Sequence, residues 1–473
     1  MKRYLLISTF LSTLLMASET ELRSEIDKLK AEIDILKAEH VQHMKDSDEI
    51  YDIAERAEAN TFADKIKFGL GFKQYMDNFD KTYTDGHSVQ NNNVLSTKLM
   101  LNMYANITPD MKFYGRLSMY KYWGSSAVHP YSYYDNMQGR VPADSALYVE
   151  RAYIDYFMLK DTMLPIALTI GRQPSTDGPS YQFKDNVSRK ATYSALLYDG
   201  ASDGAVLTFN LSKVLDYKKT YLRFGYAKGY GYTATGNVGN AYIGASNNDI
   251  DDTNVAGVFL DTTLPNIKES LVQLSYSKMF DIVANPLDNN ALQNKNIGDV
   301  DLYGAMIEVE NIKNTHLDFF AHYAHSVAIP NGEGYIVTQN NQTYDFGGLL
   351  SKTGDTSKKN GDAIWLGTRY GLGENQKYKV GFEYNHGSKN WINLTQGSFD
   401  VYNKLATRGD VYEVYLMYVL NRYSNIRLGY IDIDYDYSRS AWFVGEPMDL
   451  DTISNDIEVD SMRSIYLKFN VNF

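Results

Sequence analysis

Between Gly171 and Asp203 runs a stretch too long for a turn, carrying Arg172, Asp177, Lys184, Asp185, Arg189 and Lys190 with Tyr181 and Tyr193 among them. Fixed charges of both signs beside aromatic rings are the materials of a filter, since charged side chains around a narrow passage sort hydrated solutes by sign and size. A second set has the same character. Lys73, Lys98, Lys112, Arg116, Arg223, Arg369, Lys379, Arg427 and Lys468 all occupy one face of alternating segments whose other face is apolar, as do Lys65 and Lys67. Acids on that polar face are fewer, with Glu383, Glu413 and Asp318 among them, so it reads as basic although the chain carries a net charge of −12. The candidate constriction set is Arg116, Arg172, Asp177, Lys184, Arg189, Arg223, Arg369 and Arg427.

Other chemistries find little footing. The chain has no cysteine, which removes a lipoprotein anchor, a disulfide framework, a Cys-based zinc site and c-type haem attachment. His322 and His325 sit three apart on a predicted strand and point to opposite faces, so they cannot share a metal there. No Ser-His-Asp arrangement stands out, and neither an enzyme nor a cofactor is expected. Acidity argues against nucleic acid as a partner. The surplus acid collects in predicted loops, at Asp249, Asp251 and Asp252 and at Asp449, Asp451, Asp456 and Glu458. These are either solvated loop tips or carboxylates that bind divalent cations bridging lipid phosphates.

The elements that must position these charges are strands. The final residues alternate strictly: Ile465, Leu467, Phe469, Val471 and Phe473 share one face, Ser464, Tyr466, Lys468, Asn470 and Asn472 the other. A strand of this length ending the chain on phenylalanine is the form of a bilayer-spanning strand in a closed barrel. The same alternation puts Ile66, Phe68, Leu70 and Phe72 outward on the first such segment, and Leu95, Leu99, Leu101 and Met103 outward on the second. Further strands are predicted over 111–123, 145–158, 166–173, 204–211, 220–230, 253–262, 270–281, 299–310, 315–326, 362–372, 378–387, 410–420, 426–436 and 459–473. The total is about sixteen, an even number, as antiparallel closure with both ends on one side requires. Tight turns at 108–110, 160–165, 212–219, 263–269, 311–314, 373–377 and 421–425 alternate with long loops. Aromatic residues make up 14% of the chain and 40 of them are tyrosine, which suits girdles at two membrane interfaces. The mean hydropathy of −0.39 is low because only every second residue of a spanning strand is apolar.

The amino terminus is different. Residues 1–17 carry Lys2 and Arg3, then an apolar run, then Ala17 and Ser18, the pattern of a secretory signal peptide. Over 18–61 Leu22, Ile26, Leu29, Ile33 and Leu36 recur at steps of four and three between Glu, Lys and Asp, a coiled-coil seam that His40 and His43 extend as polar layers. One helix here would make a periplasmic stalk of roughly 60 Å. The outer-membrane barrel itself is expected over 62–473.

Several of these segments resemble an uncharacterised family of epsilonproteobacterial outer-membrane barrels known as a domain of unknown function. The likeness is carried by Gly171-Arg172-Gln173-Pro174-Ser175-Thr176-Asp177-Gly178 after the strand at 166–170, by Asp199-Gly200-Ala201 followed by 207–214, and by Phe224-Gly225-Tyr226-Ala227-Lys228-Gly229. It implies a porin-like barrel and brings no substrate or catalytic residue. The expectation is therefore an all-β transmembrane antiparallel barrel of about sixteen strands behind an α-helical coiled coil. It would work as a trimeric, mildly anion-preferring porin in the outer membrane, in contact with lipid and lipopolysaccharide. Its periplasmic stalk would assist assembly or reach towards peptidoglycan. The alternative is a structural or adhesive protein with a blocked barrel and a functional stalk. If the seam associates, residues 19–59 form an oligomer in solution and Ile26→Asp with Ile33→Asp abolishes it; sedimentation showing a monomer before substitution would disprove the seam.

Overall fold

A computed structural model of the chain describes Lys28 and residues 65–124, 145–175, 178–189, 191–230, 253–267, 269–284, 295–339, 342–395, 400–453 and 457–473. The leader, the heptads and the histidines at 40 and 43 fall, Lys28 apart, outside the described residues, as does Asp177. The larger compact unit, Phe68–Phe473, holds the barrel.

Sixteen antiparallel strands close on themselves. They are β1 (Ile66–Tyr83), β2 (Ser88–Thr108), β3 (Met111–Tyr122), β4 (Tyr148–Leu159), β5 (Ile166–Ser175), β6 (Gly200–Asn210), β7 (Tyr221–Tyr230) and β8 (Thr253–Thr262), then β9 (Ser270–Phe280), β12 (Gly298–Val309), β13 (Leu317–Pro330), β16 (Lys359–Leu372), β17 (Tyr378–Gly387), β18 (Gly409–Asn421), β19 (Ser424–Tyr435) and β20 (Val459–Asn472). Outside the barrel ring, β10 (Val283–Ala284) pairs with β11 (Lys295–Asn296) and β14 (Tyr335–Gln339) with β15 (Gln342–Gly347). Every barrel strand was legible as alternation. The two small hairpins were not, since their faces are not divided between lipid and water.

Closure falls between the ends of the chain: β1 pairs with β20 from Gly71↔Asn472 through Met76↔Leu467 to Tyr83↔Val459. The terminal Phe473 and Leu70 exchange both backbone hydrogen bonds at 2.8 Å. Apart from the tight β1–β2 connection at 84–87, the long segments gather at one rim and the short connections at the other, the asymmetry of periplasmic turns and external loops.

The faces divide as the alternation demands. Phe68, Leu70, Ile465 and Leu467 are exposed on the outside, while Tyr466, Lys468 and Asn470 are buried within. Tyrosines ring the outer face towards the long-loop rim, where Tyr276, Tyr323 and Tyr384 donate hydroxyls to Asp301, Asp362 and Asp410. Tyr370, Tyr378 and Tyr423, all exposed, lie towards the turn rim. At the long-loop rim each of the three rings thus sits at apolar depth with its hydroxyl directed to a carboxylate, the arrangement of an interfacial girdle. His322 and His325 take opposite faces, His322 buried inside and His325 outside against Asp362 at 2.9 Å.

A Lys or Arg on the lipid face near the midplane costs roughly 2 to 4 kcal/mol. Leu467→Lys is therefore expected to lower the folded fraction in liposomes, read by heat-modifiable mobility, far more than the lumen substitution Thr208→Lys; equal losses would overturn the division of faces.

Candidate constriction site

After β5 the chain does not stay at the rim. Residues 178–199 turn into the lumen, and Tyr181–Asp185 form a single helical turn, α1, ended by Asn186 in the left-handed conformation (φ 52°) that asparagine tolerates. Side chains from the wall reach its backbone and its charges. Arg369 donates to the carbonyl of Phe183 at 2.6 Å while its Nε holds Asp318 at 2.7 Å. Arg427 donates to the carbonyl of Lys184, and Asn425 to that of Asp185 at 3.0 Å. Lys73 pairs with Asp185, Lys379 donates to Asn186 at 2.6 Å, and Gln182 donates to both oxygens of Glu308 at 3.0 Å. Wall cations thus satisfy the carbonyls at the helix's C-terminal end, where a helix leaves acceptors unpaired.

A second loop also enters, its described residues being 388–395 and 400–408. Its Lys404 lies between Glu383 (2.6 Å) and Glu413 (2.7 Å), and Glu413 also accepts from Lys184 of α1 at 2.7 Å. Tyr466 donates to the other oxygen of Glu413, and Trp365 donates to Glu383 at 3.0 Å. Burial alone would lower the pKa of the Lys404 ammonium, but Glu383 and Glu413 hold it above its ordinary value. Glu413 thereby ties two loops to one strand. Higher up, Arg408 is fully buried and donates to the carbonyls of Trp391 (3.1 Å), Ser438 (3.2 Å), Arg439 (2.7 Å) and Trp442 (3.0 Å). Five donors in a rigid fork let one guanidinium fasten several chain segments.

Around these charges lies an apolar core. Phe183, Leu196 and Leu197 from the first loop, Trp391, Ile392 and Leu405 from the second, and Phe443 and Val444 from the loop after β19 pack on Phe320, Ala324 and Trp365 of the wall. Loop backbones pair directly as well: Asp199 donates to Leu394, and Leu394 to Leu197, at 2.9 and 2.8 Å.

Of the residues read from sequence as the constriction, Lys184, Arg369 and Arg427 converge on α1. Arg189 follows it as an exposed side chain. Arg116 is on the inner wall, but there it meets Glu150 at 3.0 Å and Asn102 at 2.7 Å. Arg223 likewise pairs with Asp261. Arg172 is a correction. It shares the outward face of β5 with Ile170 and pairs at 3.1 Å with Asp203, itself 64% exposed, because the strand continues past Gly171 and alternation turns residue 172 away from the lumen. The sparse inner acid is a second correction: Asp77, Glu150, Asp261 and Glu308 all point inward and are buried. Each stands inside an assigned strand, so counting parity along every strand would have found them. Tyr466 was expected to face water, but packs against Glu413. Asp449 spends a carboxylate oxygen on the backbone N–H of Asp451.

One arrangement was invisible in the sequence. Ser180 lies 2.9 Å from Glu308 and 3.1 Å from His322 Nε2, while Ser194 lies 2.7 Å from His322 Nδ1. Ser180 donates its one proton to the carboxylate, so Nε2 must donate to the serine oxygen, and Ser194 then donates to Nδ1. In this tautomer Ser180 has no base beside it, whereas Ser194 meets the acceptor nitrogen of His322. With all four side chains buried, the network fastens the loop to the wall.

A closed sixteen-strand barrel with an apolar outer face and a helical loop pinned across its lumen is a membrane-spanning barrel of porin-like build. The chain belongs to the family described as protein of unknown function (DUF3373), whose profile matches residues 88–473. No curated protein matches it. Among solved structures it is similar to Salmonella typhi OmpF in complex with daunomycin, at 10% identity and a TM-score of 0.44, over 87% of this chain and 99% of that one. It is also similar to Pseudomonas putida OprB at high pH, at 11% identity and a TM-score of 0.47, over 86% and 94%, and to OmpT of Vibrio cholerae, at 12% and 0.43, over 86% and 97%.

Removing one partner of a buried ion pair costs about 3 to 5 kcal/mol, because the other charge is left unmatched in low dielectric. Glu413→Gln is expected to lower the unfolding free energy in detergent by that order, and Lys184→Met by less, since Glu413 keeps Lys404. Guanidinium titrations giving equal losses would show that Glu413 does not join the loops.

Proposed function

We propose that the protein is an outer-membrane porin, a passive channel for small hydrophilic solutes, working as a homotrimer. The observation that carries this reading is α1 itself, a charged helical turn held in the lumen by groups of several strands, which narrows the passage without plugging it with a separate domain. The trimer rests on the class of barrel alone. Catalysis has no part in the reading.

A mild preference for anions belongs to the same reading. Lys73, Arg369, Lys379, Arg427 and Lys468 gather around α1 against Asp77, Asp185, Glu308, Asp318 and Glu413, and Arg189 is exposed beside it. Basic side chains in a narrow passage raise the local anion concentration. The second reading, a barrel blocked by its loops, is favoured by the apolar core that covers one side of the lumen.

Planar bilayers distinguish the two: the porin gives unitary current steps, the blocked barrel none. Under a KCl gradient the reversal potential is expected to indicate anion preference at 0.1 M that fades at 1 M, as the screening length falls from about 10 Å to about 3 Å. Arg189→Glu shifts the preference towards cations, whereas Arg172→Glu, on the outer face, leaves it unchanged. Cation selectivity of the unmodified channel at low salt would refute the anion preference.

A further inference from the structure

The inner wall of the barrel is not uniform around its circumference. On β9, β12, β13, β16 and β17 the inward side chains Ser277, Leu302, Ala324, Ser326, Trp365 and Glu383 are all buried. They lie beneath the two loops that enter the lumen, and the apolar core between loops and wall excludes water from this side. On β4 to β7 Glu150, Gln173 and Val206 are buried as well, but the inward side chains Tyr153, Asp155, Thr169, Thr208, Arg223 and Ala227 are only half-buried.

Side-chain size follows the same division. Beside Gln173, Val206, Tyr221 and Arg223, alternation sets the small residues Ala167, Thr169, Thr208, Gly225, Ala227 and Gly229 on the inner face of β5 to β7, where Phe320, His322 and Trp365 stand on the opposite wall. A Cβ added at Gly225 would meet Val206 at 3.6 Å and Phe259 at 3.7 Å, so the wall takes a larger side chain here without a clash. The segment after α1 presents exposed Ser188 and Arg189, whereas Phe183 and Lys184 of α1 are buried in the packed side.

We propose that the lumen is divided lengthwise: the sector under β9 to β18 is a solid, dry core, and solutes pass only along the sector walled by β4 to β7. This rests on the channel reading. In it Arg189 on the loop, and Asp155 and Arg223 on the wall, the latter held by the buried Asp261, are the specificity-determining charges that a permeating anion meets. The dry sector follows from the packing of apolar side chains at densities that leave no water file. The wet sector follows from small side chains facing a gap that the described loop residues do not fill.

The chain contains no cysteine, so single introduced thiols report without background. In full-length protein reconstituted in bilayers, a water-soluble methanethiosulfonate carrying a sulfonate group should remove most of the current through Thr208→Cys and Ala227→Cys. It should leave that through Ala324→Cys and Ser326→Cys unchanged. Mass spectrometry of the same proteins in liposomes should show the adduct on the first two at once, and on the last two only after guanidinium unfolding. Adduct and block at Ala324→Cys or Ser326→Cys as rapid as at Thr208→Cys would overturn the division, as would protection of both Thr208→Cys and Ala227→Cys. If the unmodified protein passes no current, the channel reading fails on its own, and labelling still decides where water runs.

Discussion

Closure of the sheet by β1 against β20 is the constraint from which the rest of this structure follows. Within hydrocarbon an unpaired backbone N–H or C=O costs several kcal/mol, so a spanning sheet survives only with no edge. Pairing the first strand with the last, down to the two bonds between Leu70 and Phe473, removes that edge. Once the ring is closed, every second residue must face lipid and every other residue the interior. Sixteen strands then enclose more space than wall side chains can fill. Among the described residues, two of the long loops on one rim enter that space.

What holds the loops inside differs from what holds the barrel in the membrane. The outer face is stabilised by transfer of exposed apolar side chains into lipid, with no geometric demand beyond alternation. The inner assembly depends on matched geometry: Glu413 between two lysines, Arg408 among four carbonyls, Arg369 between Asp318 and the end of α1. Buried ions are tolerated only when each finds partners, and here the partners come from different segments of the chain. The interior is therefore built like the core of a water-soluble protein set inside a lipid-facing shell.

This contrast explains what could be read from the chain. The barrel strands were legible because lipid and water impose a period of two that survives without knowledge of neighbours; β8 and β17 fall on the residues expected for them. The inward path of residues 178–199 was legible from mixed charge. The entry of 388–408 was not, since Trp391, Lys404 and Arg408 resemble ordinary loop residues until Glu383, Glu413 and the carbonyls around Arg408 are brought to them. Arg172 misled for the opposite reason, because its charge suggested the lumen while its parity placed it outside. Sequence carries parity well and carries partnership across distant strands poorly.

The wide sequence separation within that inner assembly bears on how the protein is made. Lys184 and Glu413 are 229 positions apart, and Tyr402 and Asp77 are 325. Contacts so remote are reached late, since chain entropy must be lost before they stabilise anything. The first loop leaves the chain after β5, yet the acid that receives its lysine is on β18 and the tyrosine behind that acid on β20. Residues 178–199 can be fastened by β9, β12 and β13 as these form, but their charged end stays without its last partners until nearly the whole sheet has been laid down. Maturation of the interior is in this sense the last act of biogenesis, and a nascent barrel stalled before its final strands would present that charged end to whatever chaperone attends it.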